Sequence, residues 1–278
     1  MKLQALVERH PLTSYFVLAY TLAWGGVIAV TASLGASGAA PTPAETGMVA
    51  LPLLFAPGAA AAALTALAEG RPGLREMWAR MTHWRVGARW YVLALAVMPL
   101  AVLLILSTLS SVVSPVYAPT LALMGLAGLF AGYLEEIGWT GYATPRMLSR
   151  ASPWAAGLQL GVLWGLWHAL ADYVIRGPAL GAFWLVTFGL FVVPLTAWRI
   201  VMTVVYARTH SGVIAQLMHF AYTGSLGFFI PLAALTPQQD AWVYALLAGT
   251  LWMGVAGLGK SVGHEGRSCR PSSMASGH

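Results

Sequence analysis

The sequence has very little charge: only 9% of its 278 residues are charged, whereas about a quarter of a soluble domain is charged. So few charged side chains cannot cover a water-soluble globule, and 58% of the residues are apolar. There is one cysteine, Cys269, which excludes an intrachain disulfide framework and a zinc site built from cysteines. The basic residues are spread between apolar segments rather than gathered in one stretch, which argues against nucleic-acid binding. We therefore expect an integral membrane protein.

The sequence contains long apolar runs. Segments of about 20 apolar residues, the length that crosses the roughly 30 Å hydrocarbon core of a bilayer, lie near residues 12–35, 47–69, 90–112, 120–143, 154–175, 182–206, 211–233 and 241–259. These runs predict an all-α, polytopic membrane protein with about eight transmembrane helices and a polar intramembrane site. The predicted organisation is a single integral membrane domain over 1–262, followed by a polar, disordered cytoplasmic tail over 263–278.

The basic residues predict the orientation in the membrane. All but two of the 15 Lys and Arg fall in segments on one side of the predicted helices; the exceptions are Arg176, in a loop on the other side, and Arg199, inside the sixth span. Because basic loops stay in the cytoplasm, we expect both termini there and a location in the bacterial inner membrane. The first apolar run is longer than that of a secretory signal, so we expect it to be retained.

Ionisable side chains within the spans are the candidate functional residues, because a charge in the bilayer interior costs several kcal/mol. They are Glu135 and Glu136 in the fourth span, His168 and Asp172 in the fifth, Arg199 in the sixth and His219 in the seventh. Adjacent glutamates point about 100° apart around a helix, so the two carboxylates must have different roles. Glu135 is a plausible general base, and Asp172, nearer the outer surface, is expected to be a structural partner.

Three segments carry a resemblance to a known family. They are LEEIGWTGYATPRM at 134–147, VLWGLWHAL at 162–170 and YARTHSGVIAQLMHFAYTG at 206–224. Together they resemble the CPBP family of intramembrane proteases, which includes CAAX proteases and bacteriocin-processing or immunity proteins and is related to the type II CAAX prenyl endopeptidases. The resemblance covers about residues 120–225, with each motif on its own predicted span.

The resemblance implies an intramembrane endopeptidase. It implies that Glu135 and His168 activate the attacking water, that His219 helps to stabilise the oxyanion, and that Glu136 orients the site. Trp164 stands one turn before His168, where it is expected to pack against the imidazole ring. The implied partners are a membrane-associated protein or peptide substrate and the lipid bilayer.

Two positions depart from the family pattern. Thr140 stands where the family has Arg, and Thr223 stands where it has Asn or Asp. An ionised Glu136 therefore lacks the usual cation on its own helix, and Thr140 offers only a hydrogen bond. Arg199 is the one basic residue inside another predicted span, at a similar depth, so we predict an interhelical pair between Arg199 and Glu136. The alternative is that Arg199 extends to the cytoplasmic headgroups.

Other functions remain open on sequence grounds. A divalent ion such as zinc, held by Glu135, His168 and His219, would give a metalloprotease, since a mixed nitrogen and oxygen ligand set suits zinc. Acidic and histidine side chains inside a membrane also occur in transporters and proton relays. A non-catalytic membrane chaperone or immunity protein would use the same cavity for binding alone.

Overall fold

The computed structural model describes residues 2–35 and 41–268 of the chain, and the side chains of residues 3–35 and 41–258. Within these residues the chain forms helices and no β-strand, which confirms the all-α prediction. The α-helices are α1 (Lys2–Arg9), α2 (Pro11–Leu34), α3 (Pro43–Ala68), α4 (Gly70–Met81), α5 (Ala88–Val112), α6 (Ala127–Gly138), α7 (Thr144–Leu148), α8 (Pro153–Trp167), α9 (Ala169–Leu180), α10 (Phe183–Thr209), α11 (Gly212–Phe229) and α12 (Pro237–Ser268). Of the tail predicted from residue 263, residues up to Ser268 belong to α12, and 269–278, including Cys269, lie outside the described residues.

Several helices are suited to a bilayer. Within the described ranges, five segments are long and apolar enough to cross a membrane: α2, α3, α5, α10 and the part of α12 from Pro237 to Leu258. These helices indicate an integral membrane protein, but the expected count of about eight is not confirmed. Helix α10 is the central one, because 67% of its apolar window is buried inside the protein, against at most 39% for the others.

The other three predicted spans are interrupted or short, and each contains all or most of one of the three motifs. The span expected at 120–143 is divided into a 3₁₀ turn at Leu123–Leu126, helix α6 and a π-helical turn at Trp139–Ala143. The span expected at 154–175 changes from α8 to α9 at His168. The span expected at 211–233 is the 18-residue helix α11, which ends before Pro231, a residue without a backbone N–H to continue the helix.

Glycines allow the motif-bearing helices to approach each other closely. A Cβ atom at Gly132 of α6 would lie 2.6 Å from the Gln216 carbonyl oxygen of α11, and one at Gly161 of α8 would lie 2.8 Å from the Thr196 Cα of α10. Small residues at such crossings permit the tight packing typical of membrane helices. Helix α6 is thereby held against α11, and α8 against α10, so that the three motifs meet.

The π-helical turn follows directly after the two glutamates. The amide of Thr144 donates to the carbonyl of Trp139, five residues earlier, and the Thr144 hydroxyl donates to the same carbonyl at 2.7 Å. This wider turn separates α6 from the short helix α7. Single π-helical turns of this kind are rare and occur frequently at functional sites.

Candidate active site

Glu136 is the most fully bonded carboxylate in the described part of the chain. Its side chain is completely buried, as is that of Arg199 on α10, which is 1% exposed. The guanidinium binds both oxygens, with Nη1 at 2.9 Å from Oε2 and Nη2 at 2.5 Å from Oε1. The predicted interhelical pair is therefore confirmed, and Arg199 does not extend to the headgroups.

Two more side chains hold the same carboxylate. The Thr140 hydroxyl, four residues on, donates to Glu136 Oε2, and His219 Nδ1 on α11 lies 2.8 Å from Oε1. A carboxylate oxygen only accepts, so the ring nitrogen that faces it carries a proton. Glu136 thus joins α6, α10 and α11, and each of its two oxygens has two donors.

Glu135 has a different environment, although it is also buried, with 4% of its surface exposed. Its Oε2 accepts the indole N–H of Trp139 at 3.3 Å and that of Trp164 at 3.1 Å. Among the described residues no cation bonds to this carboxylate, and Oε1 accepts no hydrogen bond. The two neighbouring glutamates therefore divide as the helix geometry predicts: Glu136 takes the cation, and Glu135 is held by neutral donors.

Trp164 on α8 links the separate parts of the site. Its ring makes an edge contact with the His219 ring, at 4.7 Å between centroids, and the Arg199 guanidinium lies over its face, 4.2 Å from the centroid. The expected contact with His168 is also present, at 6.0 Å between ring centroids. The sequence associated Trp164 with His168 only, and its hydrogen bond to Glu135 was missed.

His168 lies at the junction of α8 and α9, where it is partly exposed. Its Nδ1 is 2.8 Å from the Trp164 carbonyl oxygen. Because a carbonyl only accepts, Nδ1 carries the proton, and in the neutral ring Nε2 keeps a free lone pair. The rings of Trp167 and Phe191 contact the imidazole at 5.0 and 5.2 Å between centroids, so His168 has a fixed orientation and an acceptor nitrogen.

Two sequence candidates lie apart from these contacts. The Thr223 side chain makes no hydrogen bond to the described residues, so the structure gives it no part in holding His219. Asp172 accepts from Arg176 Nε at 2.9 Å and from the Trp184 indole at 2.7 Å. It is thus an ion-pair partner of Arg176, which agrees with the structural role expected for it.

The candidate metal ligands do not form a metal site as placed. Among residues 3–35 and 41–258, no three His, Cys, Asp or Glu side chains are grouped so that they could hold an ion. Of the three candidates, His168 and His219 each have one ring nitrogen engaged by a protein acceptor, and Glu135 has one oxygen bound by two indoles. We therefore assign no step of the chemistry to a metal.

Comparison with known proteins agrees with this geometry. Residues 117–225 match the family model described as type II CAAX prenyl endopeptidase Rce1-like. A curated relative is CAAX prenyl protease 2 of Methanococcus maripaludis, which is 42% identical over 52 residues; the aligned stretch covers 19% of this chain and 18% of that protein. The matched segment contains every candidate site residue. The resemblance indicated by the three motifs is confirmed: over residues 117–225 the chain is similar to the type II CAAX prenyl endopeptidases.

Proposed function

We propose that the protein is an intramembrane endopeptidase that hydrolyses a peptide bond of a membrane-associated protein or peptide. The observation that carries this proposal is the contrast between the two glutamates. Glu136 is compensated by Arg199, whereas the buried Glu135 carboxylate has only indole donors on one oxygen. A carboxylate without a cation in a water-poor site is suited to accept a proton.

In the proposed reaction, Glu135 Oε1 takes a proton from a water molecule whose oxygen attacks the substrate carbonyl carbon. His168 assists by accepting a hydrogen bond from the same water at Nε2, the ring nitrogen left without a proton. When the tetrahedral intermediate collapses, the carbon–nitrogen bond breaks and Glu135 returns its proton to the leaving amine. Glu135 is therefore base in the first step and acid in the second, and ends the cycle unchanged.

His219 is proposed to stabilise the negative oxygen of the tetrahedral intermediate. Its Nδ1 proton faces Glu136, so a hydrogen bond to the oxyanion must come from Nε2. For that, both ring nitrogens carry protons. Since Arg199 already compensates Glu136, the ionised Glu135 carboxylate balances the charge of the imidazolium. Glu136, Arg199 and Thr140 are then positioning residues, which act by orienting His219.

The substrate class proposed here is broader than the name of the curated relative. That name specifies a CAAX prenyl protease, but the aligned stretch covers only 18% of the relative's length. The apolar helices would give access to substrates from the lipid bilayer. We therefore propose a membrane-associated peptide or protein, of which a prenylated protein is one case.

Substitution of the three proposed reacting residues tests this function. Purified protein in lipid nanodiscs is given a library of membrane-anchored fluorogenic peptides. Glu135→Gln, His168→Ala and His219→Ala should each reduce turnover by about 10²-fold or more, the usual contribution of a general base or an oxyanion donor. Glu76→Gln, a change at an exposed carboxylate on α4, is the control.

Two further measurements separate this function from its alternatives. Glu135→Gln should still bind an intact peptide that the wild-type protein cleaves, because the amide has nearly the shape of the carboxylate. Full turnover in this variant would refute the mechanism. Treatment with EDTA should leave wild-type turnover unchanged. Loss of activity that is restored by added zinc would favour a metalloprotease.

A further inference from the structure

Two tryptophans from different elements donate to the same oxygen of Glu135. Trp139 is the first residue of the π-helical turn, and Trp164 lies on α8, 29 positions from Glu135 in the chain. Both rings are almost completely buried, with at most 1% of their surface exposed. An indole N–H is a donor only, so neither ring can take a proton from the carboxylate or give it a compensating charge.

A hydrogen-bond donor without charge holds a catalytic base differently from a cation. Guanidinium, as at Glu136, both fixes a carboxylate and compensates its charge, whereas an indole N–H fixes the carboxylate and leaves the charge available for reaction. A free glutamate side chain populates several rotamers, and a base must be in place when the water attacks. Two donors on Oε2 fix the carboxylate plane and leave Oε1 without a hydrogen bond from the described residues.

The Trp164 ring is itself held in place by the other parts of the site. Arg199 lies over its face, and the His219 ring contacts it at 4.7 Å between centroids. The carbonyl of Trp164 also accepts from His168 Nδ1 at 2.8 Å. One residue therefore contacts the proposed base, its assisting histidine and the proposed oxyanion donor.

We propose that Trp139 and Trp164 are positioning residues that hold Glu135 through their indole N–H groups, so that Oε1 is presented to the attacking water. This inference rests on the proposed endopeptidase function. It assigns a role to the hydrogen-bonding edge of each ring, separate from packing. Phenylalanine at either position would keep most of the packing and lose the hydrogen bond.

The kinetic test compares three Trp→Phe variants. Trp139→Phe and Trp164→Phe should each lower kcat by about 10-fold or more, the effect expected for loss of a hydrogen bond to a charged group, and should leave KM within about two-fold. The matched control is Trp154→Phe, at the other end of the same helix as Trp164. The Trp154 ring is half-buried against the core and its indole makes no hydrogen bond to the described residues, so its kcat should not change.

A spectroscopic measurement tests the contact without reference to turnover. The chain has 12 Trp, which give a countable set of indole N–H resonances in protein labelled with ¹⁵N at tryptophan, and the Phe variants assign three of them. Glu135→Leu removes the acceptor. The Trp139 and Trp164 proton resonances should then move upfield, and the Trp154 resonance should move less.

Each result supports or rejects the proposed role of the two indoles. Reduced kcat in both Phe variants, with both resonances shifted, supports the inference. Wild-type hydrolysis that is lost in Glu135→Gln but unchanged in Trp139→Phe and Trp164→Phe rejects the indole role and leaves the proposed function intact. Unshifted resonances also reject it. Absence of hydrolysis by the wild-type protein rejects the proposed function and, with it, any catalytic role for the indoles, even if the resonances shift.

Discussion

The buried pair of Arg199 and Glu136 gives the sharpest prediction about stability. Arg199→Ala leaves a fully buried carboxylate with only the Thr140 hydroxyl and His219 as partners. Removing one member of a buried ion pair costs about 3–5 kcal/mol, because the remaining charge is buried and has lost its ion-pair partner. By contrast, Glu76→Ala breaks an ion pair with Arg80 whose Glu76 side chain is 74% exposed, and should cost about 1 kcal/mol or less.

A second substitution makes the prediction specific to charge. Thr140 is one turn beyond Glu136 and already donates to the oxygen that Arg199 Nη1 binds. Thr140→Arg in the Arg199→Ala background should restore part of the lost stability, because a new guanidinium can occupy the space of the old one. The same Thr140→Arg change alone should destabilise the protein, since Thr140 is only 2% exposed and the larger side chain would overpack the site.

Thermal unfolding in detergent micelles, followed by circular dichroism, measures these effects. Arg199→Ala should lower Tm by the order of 10 °C, and Glu76→Ala by far less. The double-mutant cycle should give a favourable coupling of about 1–3 kcal/mol between positions 140 and 199. Additive effects of the two substitutions, or an Arg199→Ala variant as stable as Glu76→Ala, would refute the compensation argument.

Two other predictions concern orientation and helix packing. The first uses a Cys269→Ser background. A cysteine introduced at Trp78 on α4 should react with a membrane-impermeant reagent only from the cytoplasmic side, and one introduced at Ala44 only from the outside, because basic loops stay in the cytoplasm. The opposite labelling pattern would contradict the predicted topology. In the second, Gly132→Ala should lower both Tm and turnover, because its Cβ would lie 2.6 Å from a backbone oxygen of α11. The control Gly25→Ala, whose Cβ would meet no atom within 4 Å, should change neither. Equal effects of the two substitutions would show that α6 and α11 need not be so close.

Some of the predicted spans agree with the helices of the structure, and others do not. Apolar runs without a charged residue or histidine in their interior became long helices, as at Ala88–Val112. The runs that contain the glutamates, His168 and His219 were predicted to be continuous, but they are broken or short. Hydropathy averages over a window, so it does not detect the break at His168 or the π-helical turn at Trp139–Ala143, which depend on side-chain and backbone contacts between helices.

The site was partly predictable because an ionised side chain inside a membrane-spanning helix needs a partner of opposite charge. An unpaired glutamate and an unpaired arginine at similar depth predicted the bond between Glu136 and Arg199 without any contact information. The spacing of four residues places Glu135 and Trp139 on one face of the helix, which is consistent with the first indole contact. The second indole, on α8, depends on how α8 crosses α6, which the sequence of one chain does not specify.

The π-helical turn makes the number of residues between the glutamates and α7 a property of the site. Its hydrogen bond spans five residues instead of four, so the wider turn takes up one more residue than an α-helical turn and leaves the flanking segments facing as a regular helix would. Deleting one residue within Trp139–Ala143 should therefore close the turn to a regular α-helix, with both glutamates still facing their partners and Arg146 on α7 still paired with Glu69. A further inserted residue would instead rotate α7 by about 100° relative to the glutamates. In this stretch, working relatives should therefore tolerate a one-residue gap in an alignment far better than a one-residue insertion.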